Sequence, residues 1–315
     1  MTSAGPPFAG AAIRRGSKSF AAASQLFDRR TRLLVWELYA WCRHCDDVVD
    51  GQVLGHGPVA TGTQGFAALA ALRAQTEEAL TGRATNPAPF AGLAHVVRET
   101  ALPAAYLHAH LDGFAMDVAR RQYGSLDDTL EYCYHVAGVV GLMMAWLMGV
   151  RDEPTLVRGC DLGLAFQLTN IARDVGDDAA ADRVYLPAEW LRQAGGVADA
   201  ARLMNPENRE AVVAVVNRLL DEADRYYRSA SMGVPRLPFR SAWAIATARH
   251  VYADIGHEVR RRRGQAWNER VSTSSGHKLR RLMQAFVEAS WARHVSRFAP
   301  VAAREGLWQL PVLPN

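Results

Sequence analysis

Three observations predict an all-α fold. Nearly every long segment repeats its apolar residues at the helical period, the β-branched alternation that marks strands is scarce, and Ala, Leu, Arg and Glu fill the periodic segments. A chain of 315 residues, 49% hydrophobic and 22% charged, can bury a large core in one domain, or at most two.

The first strong helix is expected over residues 31–50, where Leu33, Leu34, Val35, Trp36, Leu38 and Trp41 lead into an acidic end. Gly, Pro and small polar residues then cluster at 51–65 and 81–89, on either side of an Ala-rich stretch near 67–74, and read as loops. The next helices are expected over 126–148, 156–174, 207–229 and 241–262, separated by loops at 149–154, 179–187 and 232–238. No fixed-period repeat interrupts this pattern. One helical domain over 15–296, with tails at 1–14 and 297–315, is the expected organisation.

The longest strongly apolar stretch, 136–150, is shorter than the roughly 18 to 20 residues that span a bilayer, so no transmembrane helix is expected. The N-terminus lacks a basic start followed by an apolar core, and the C-terminus reads as a short Pro-containing tail without an anchor. Cys42, Cys45, Cys133 and Cys160 are too few for a disulfide scaffold, which points to the reducing cytoplasm. Cys42 and Cys45 form a CxxC, but no second ligand pair completes a zinc site and no strand precedes it as in a redox motif. A net charge of +4 and a pI near 9.0 suit nucleic acid, anionic lipid or a phosphorylated substrate alike. The densest basic run, 260–263, lacks the interleaved aromatics of a single-strand binder and reads as a solvated helix face, so no nucleic-acid partner is expected.

Two acidic clusters carry chemistry. Asp46 and Asp50 stand one turn apart on one face at a helix C-terminus, where like charges repel and the helix dipole is unfavourable. A magnesium ion would relieve both, and an exposed acidic helix end is the bland alternative. Gln167, Asn170, Asp174 and Asp178 then fall at i, i+3, i+7 and i+11, the spacing that normally carries a buried apolar stripe. Polar groups there need metal, water or ligand, although continuation of the helix beyond Gly176 is left open. Two such stripes facing each other across a bundle can hold two or three magnesium ions against a diphosphate. Lys18, Arg43 and Arg173 are candidate cationic helpers, and the chemistry inferred is ionisation of an allylic diphosphate. Gly138 and Gly141, inside an apolar helix, let something approach the backbone closely: a neighbouring helix or an isoprenoid tail.

These residues belong to four ordered motifs: SKSF at 17–20, LYAWCRHCDDVVD at 38–50, YCYHVAGVVG at 132–141 and FQLTNIARDVGDDAAADRVYLP at 166–187. Over about residues 15 to 296 the chain resembles the squalene/phytoene synthase family, in wording nearest its bacterial phytoene synthase branch. The resemblance implies an isoprenoid-synthase-type helical bundle around a central cavity. It implies head-to-head condensation of two geranylgeranyl diphosphates through prephytoene diphosphate to phytoene, with release of diphosphate, in carotenoid biosynthesis.

Carried over by motif, Asp46, Asp50, Asn170, Asp174 and Asp178 would hold magnesium, with manganese an equal match to oxygen ligands. Gln167 would orient that shell. Ser17, Lys18, Ser19, Tyr39, Arg43, Arg173, Tyr252 and Arg270 would contact the substrate diphosphates. Tyr132 matches a tyrosine proposed in the family to assist proton removal, with the departing diphosphate as rival base. A phenol of ordinary pKa near 10 is a poor base at neutral pH. NADPH is not expected. The enzymic alternative is a squalene or dehydrosqualene synthase using farnesyl diphosphate, and the non-enzymic one is an assembly protein that has lost catalysis. An insoluble hydrocarbon product implies peripheral membrane contact or hand-over to the next carotenoid enzyme.

Overall fold

The computed structural model describes residues 18–50, 63–83, 88–269, 275–295 and 303–312, together with Gly10, Ile13 and Val271. Helices α1 (Lys18–Ser24), α2 (Arg29–Asp50), α3 (Thr63–Leu80), α4 (Ala88–Thr100) and α5 (Ala104–Val118) form the first half. Then come α6 (Leu126–Cys133), a π-helical turn (Tyr134–Gly138), α7 (Val139–Leu147) and α8 (Glu153–Ala180). The short α9 (Ala188–Gln193) and α10 (Ala200–Leu203) lead to α11 (Arg209–Ser231), α12 (Phe239–Arg262) and α13 (Ser275–Val295). No strand occurs among the described residues.

Helix α8 organises the bundle. Asp152 caps it, accepting the Thr155 N–H at 3.1 Å, and Pro154 falls in its first turn. Its 28 residues extend about 42 Å, and Leu156, Cys160, Leu164, Leu168 and Ile171 bury a continuous stripe against α7, α11 and α12. The helix continues through Gly176 to Ala180, so the second acidic motif is helical throughout.

Glycines set how closely α7 and α8 approach. A Cβ on Gly141 would lie 2.0 Å from the Gly159 carbonyl oxygen, and one on Gly163 would lie 2.1 Å from that of Ala137. The two backbones are therefore in contact, and of the partners expected for Gly138 and Gly141 the neighbouring helix is the nearer. The 126–148 helix is not continuous either: the π turn at Tyr134–Gly138 adds a residue to the register just where Gly138 meets Cys160 Sγ. The run Leu126–Leu147 keeps the expected helical length, but its 22 residues, unlike the shorter apolar stretch at 136–150, are by length and composition enough to cross a membrane, although much of the run is buried in the bundle.

Asp161, fully buried on α8, accepts from Arg158 at 3.3 Å, from Arg304 at 2.7 Å and from the Ser229 hydroxyl. Arg304 belongs to 303–312, within the expected C-terminal tail. That segment lies against the bundle, with the Trp308 N–H donating to the Tyr226 hydroxyl at 3.3 Å. The basic run is largely ion-paired: Arg260 reaches Asp221 and Asp224 on α11, and Arg261 and Arg262 share Glu258.

Helix α13 is clasped to α12 by Arg281 on Asp254 at 2.7 Å, and by Arg249 and His250 on Glu288 at 2.8 and 2.7 Å. Burial raises both carboxyls, but these bonds outweigh it and hold both below their ordinary 3.8 and 4.5. A depressed carboxyl contributes stability that is present above its unfolded pKa and lost as pH falls through its folded one. Amides of α13 are therefore expected to lose hydrogen-exchange protection ahead of α8 as pH drops below about 4. Equal loss in both helices would contradict this.

Candidate active site

A cavity of about 790 Å³ lies between α2, α5, the π turn, α7, α8 and α12. Helix α8 lines it from Arg173 to Thr155, 19 residues or about 27 Å of helix. The lining is most polar where α2 and the Gln167–Arg173 part of α8 meet, and mainly apolar beyond, through Val136, Val140, Met144, Met148, Leu162 and Ile245, with His110, Asp117, Thr155, Arg158 and Lys278 as polar members of the wall. Gly141, Gly159 and Gly163 also line it, so the residues that bring two helices together leave their outer sides open to the cavity.

On α2, Tyr39, Arg43 and Asp46 fall at i, i+4 and i+7 and face the cavity together. Arg43 bonds Asp46 and Asp47 at 2.8 Å each. Burial pushes the Tyr39 phenol up to about 12, with Arg43 opposing. Across the cavity, Gln167, Asn170 and Arg173 line α8, and Tyr252 on α12 stacks on Phe166 at 4.2 Å. Arg173 grips Asp174 through two guanidinium nitrogens, one at 2.7 Å. One turn further on, burial and then the charge of Asp174 push the Asp178 carboxyl well above the carboxylate range.

The oxygens present suit a hard cation. The Asn170 amide nitrogen reaches Gln167 at 3.4 Å while its carbonyl oxygen Oδ1 is buried with no hydrogen-bond partner, and Asp174 and Asp178 repel within the same stripe. Among the described residues no three His, Cys, Asp or Glu side chains are gathered closely enough to form a cage by themselves. A magnesium ion would not need such a cage, since it takes one or two protein carboxylates and completes its shell with phosphate oxygens and water. Asp50 closes α2 one turn beyond Asp46, with its side chain outside the described residues. Lys18 and Ser19 begin α1, again without described side chains, and Ser17 and Arg270 lie outside the described residues altogether.

Tyr132 lines the cavity, but its hydroxyl donates to Asp117 Oδ2 at 3.1 Å, and the Tyr185 hydroxyl donates to Asp117 Oδ1 at 2.7 Å. The two rings stack at 4.6 Å. Burial, and then the Asp117 charge, raise the Tyr132 phenol well above its ordinary value. Neither Asp117, Tyr185 nor the cavity-lining Lys278 of α13 was singled out from sequence. Asp117 was findable, because it shares a helical stripe with His110 and Phe114, both of which also line the cavity. His110 is held through Nδ1 by the His135 carbonyl at 3.2 Å, and burial lowers it to about 4, so it stands neutral at physiological pH. The cysteines are free; Cys133 and Cys160 are buried, burial raises all four thiols, and Cys42 is a wall residue of the cavity.

A cluster of guanidinium, carboxylate and amide groups joined to a long, mainly apolar wall is the lining expected of the all-helical synthases that act on prenyl diphosphates. The chain belongs to the squalene/phytoene synthase family, whose model matches residues 13–277. It is 54% identical over 298 residues to a 15-cis-phytoene synthase of Enterobacter agglomerans, covering 94% of this chain and 99% of that one. It is 51% identical to the 15-cis-phytoene synthase of Pantoea ananas, covering 94% and 95%. Among solved structures, a dehydrosqualene synthase in complex with ligand superposes with a TM-score of 0.78 at 27% identity, covering 90% of this chain and 95% of that one.

Proposed function

We propose that the chain is a phytoene synthase that joins two geranylgeranyl diphosphates head to head, through prephytoene diphosphate, to phytoene. The observation that carries this reading is the identity of about half over nearly the whole length to bacterial proteins named 15-cis-phytoene synthase. The long apolar cavity behind a polar end supports it.

Asp46, Asp50, Asn170, Asp174 and Asp178 would hold magnesium, or manganese in its place. When bound, the metal neutralises the diphosphate and makes it a leaving group. Arg43 and Arg173 supply fixed guanidinium groups at the same end, each already seated on a carboxylate, and Tyr39, Gln167 and Tyr252 complete the polar wall. The mainly apolar remainder of the cavity would limit water that could quench a carbocation. Tyr132, donating to Asp117, keeps its proton and orients the wall. Proton removal falls instead to the departing diphosphate. Tyr132→Phe is accordingly expected to lower kcat less than tenfold, below the roughly 10²-fold that loss of a general base costs. A larger loss in steady-state turnover would restore Tyr132 as the base.

The decisive experiment supplies magnesium and either geranylgeranyl or farnesyl diphosphate to the purified protein, without NADPH, and identifies the hydrocarbon by mass spectrometry. Phytoene from the longer substrate, lost on adding EDTA, is expected. Product from farnesyl diphosphate alone would move the chain to the dehydrosqualene reaction, and no product from either would leave a non-catalytic role. Because the product cannot diffuse through water, a cytoplasmic protein working peripherally at the membrane, or passing phytoene directly to the next enzyme, is part of this reading.

A further inference from the structure

Helix α13 is built the wrong way round for an ordinary surface helix. Its buried face, against α12, carries Ala285, Ala289 and Ala292, the smallest apolar side chains available. Its outer face carries Leu279, Met283, Val287 and Trp291 at 61, 58, 65 and 67% exposure, one per turn over about 18 Å. Phe286 flanks them, packed edge-on to Phe239 and Trp243 but still 40% exposed. Scattered exposed apolar residues are normal, whereas a four-turn stripe on one helix marks an interaction surface. Among the described residues, the other large exposed apolar side chains, Phe66, Met232 and Val312, come from separate segments.

Two further observations decide what covers the stripe. The helix carries four Lys or Arg, at 278, 280, 281 and 293, against the single acid Glu288. Glu288 is taken by Arg249 and His250 and Arg281 by Asp254, so the paired groups on both helices, Arg249, Arg281, Asp254 and Glu288, balance and the excess positive charge rests on the others. Arg280 is exposed beside the stripe. A basic helix with Trp, Leu and Met on one face is the pattern that lies in the headgroup region of an anionic bilayer. Lys278, on the inner side of the same helix, lines the cavity, so α13 is both the stripe and part of the cavity wall. The geometry points to the outer face of α13 as the surface that seats this protein on an anionic lipid bilayer, with its cavity wall against the membrane. This deepens the proposed function, on which it rests for the insolubility of the product.

The test is flotation with vesicles of phosphatidylcholine containing about one phosphatidylglycerol in three. Wild type is compared with the variant Leu279→Ser, Met283→Ser, Val287→Ser, Trp291→Ser, none of whose positions lines the cavity. The wild type is expected to float, about tenfold less well on phosphatidylcholine alone, and the variant's partition coefficient is expected to fall at least about tenfold. Its thermal midpoint, and its turnover of geranylgeranyl diphosphate in detergent, are expected to match wild type. Absence of product from both proteins in detergent sinks the proposed function and leaves the flotation result to speak for the surface alone. Flotation of the variant equal to wild type, or of neither, overturns the surface. So does a wild-type dimer that the variant splits without any vesicle binding, because the stripe is then a contact between copies. A lowered thermal midpoint in the variant also overturns it, because the stripe is then covered by the chain itself.

Discussion

Replacing Asp178 by asparagine is expected to cut turnover of geranylgeranyl diphosphate by about 10²- to 10³-fold, the scale on which removal of one electrostatic contact to a developing charge is felt. The same change should leave the thermal midpoint in EDTA unaltered or higher. Both expectations follow from one arrangement: burial, and then Asp174 one turn before it, disfavour the charged form of Asp178, so without a cation its ionisation is a cost to the folded state. A structural carboxylate would behave in the opposite way, losing stability and sparing activity. Calorimetry in EDTA beside steady-state kinetics with magnesium separates the two, and loss of stability with retained turnover would remove Asp178 from the proposed metal set.

Gly141→Ala is expected to destabilise the fold by about 3 kcal/mol, the upper part of the range for overpacking. The added methyl would fall 2.0 Å from the Gly159 carbonyl oxygen, and the obstacle is the backbone of α8 rather than the end of a flexible side chain. Relief would require α7 and α8 to separate, which widens the contact on which Gly163 and Ala137 also depend. Gly276→Ala serves as control, since nothing lies within 4 Å of its added methyl, and its urea midpoint should stay level or rise. Equal midpoints for the two variants would show that the helices can part without cost.

How much of this was legible beforehand depended on how locally each feature is encoded. The long helices were readable because each carries its own apolar stripe, as Leu156 to Ile171 does along α8. Helix α3 was not: its Ala-rich middle gives little contrast between faces, and its burial rests on sparse contacts such as Leu69 and Leu72. Helix α13 was hidden for a related reason, since its alanines lie inward and its large residues outward, which inverts the pattern that sequence reading relies on. Asp46, Asn170 and Arg173, which sit at helical spacing within short motifs, do line the polar end of the cavity, whereas Asp174 and Asp178 of the same stripe are not wall residues. Lys278 was not foreseen, because only the docking of α13 on α12 brings it to a wall formed by residues far away in sequence. The break at Tyr134–Gly138 leaves no composition signal, as both sides of it remain helical.

The Asp161 cluster also bears on how the chain is made. On the ribosome, Asp161 emerges with Arg158 beside it, but Arg304, which contacts both of its oxygens, is translated 143 residues later. Until then the longest helix of the nascent bundle holds a carboxylate whose final counter-charge does not yet exist. Its neighbours meet it with the Arg158 guanidinium already in place, and Arg304 adds the second.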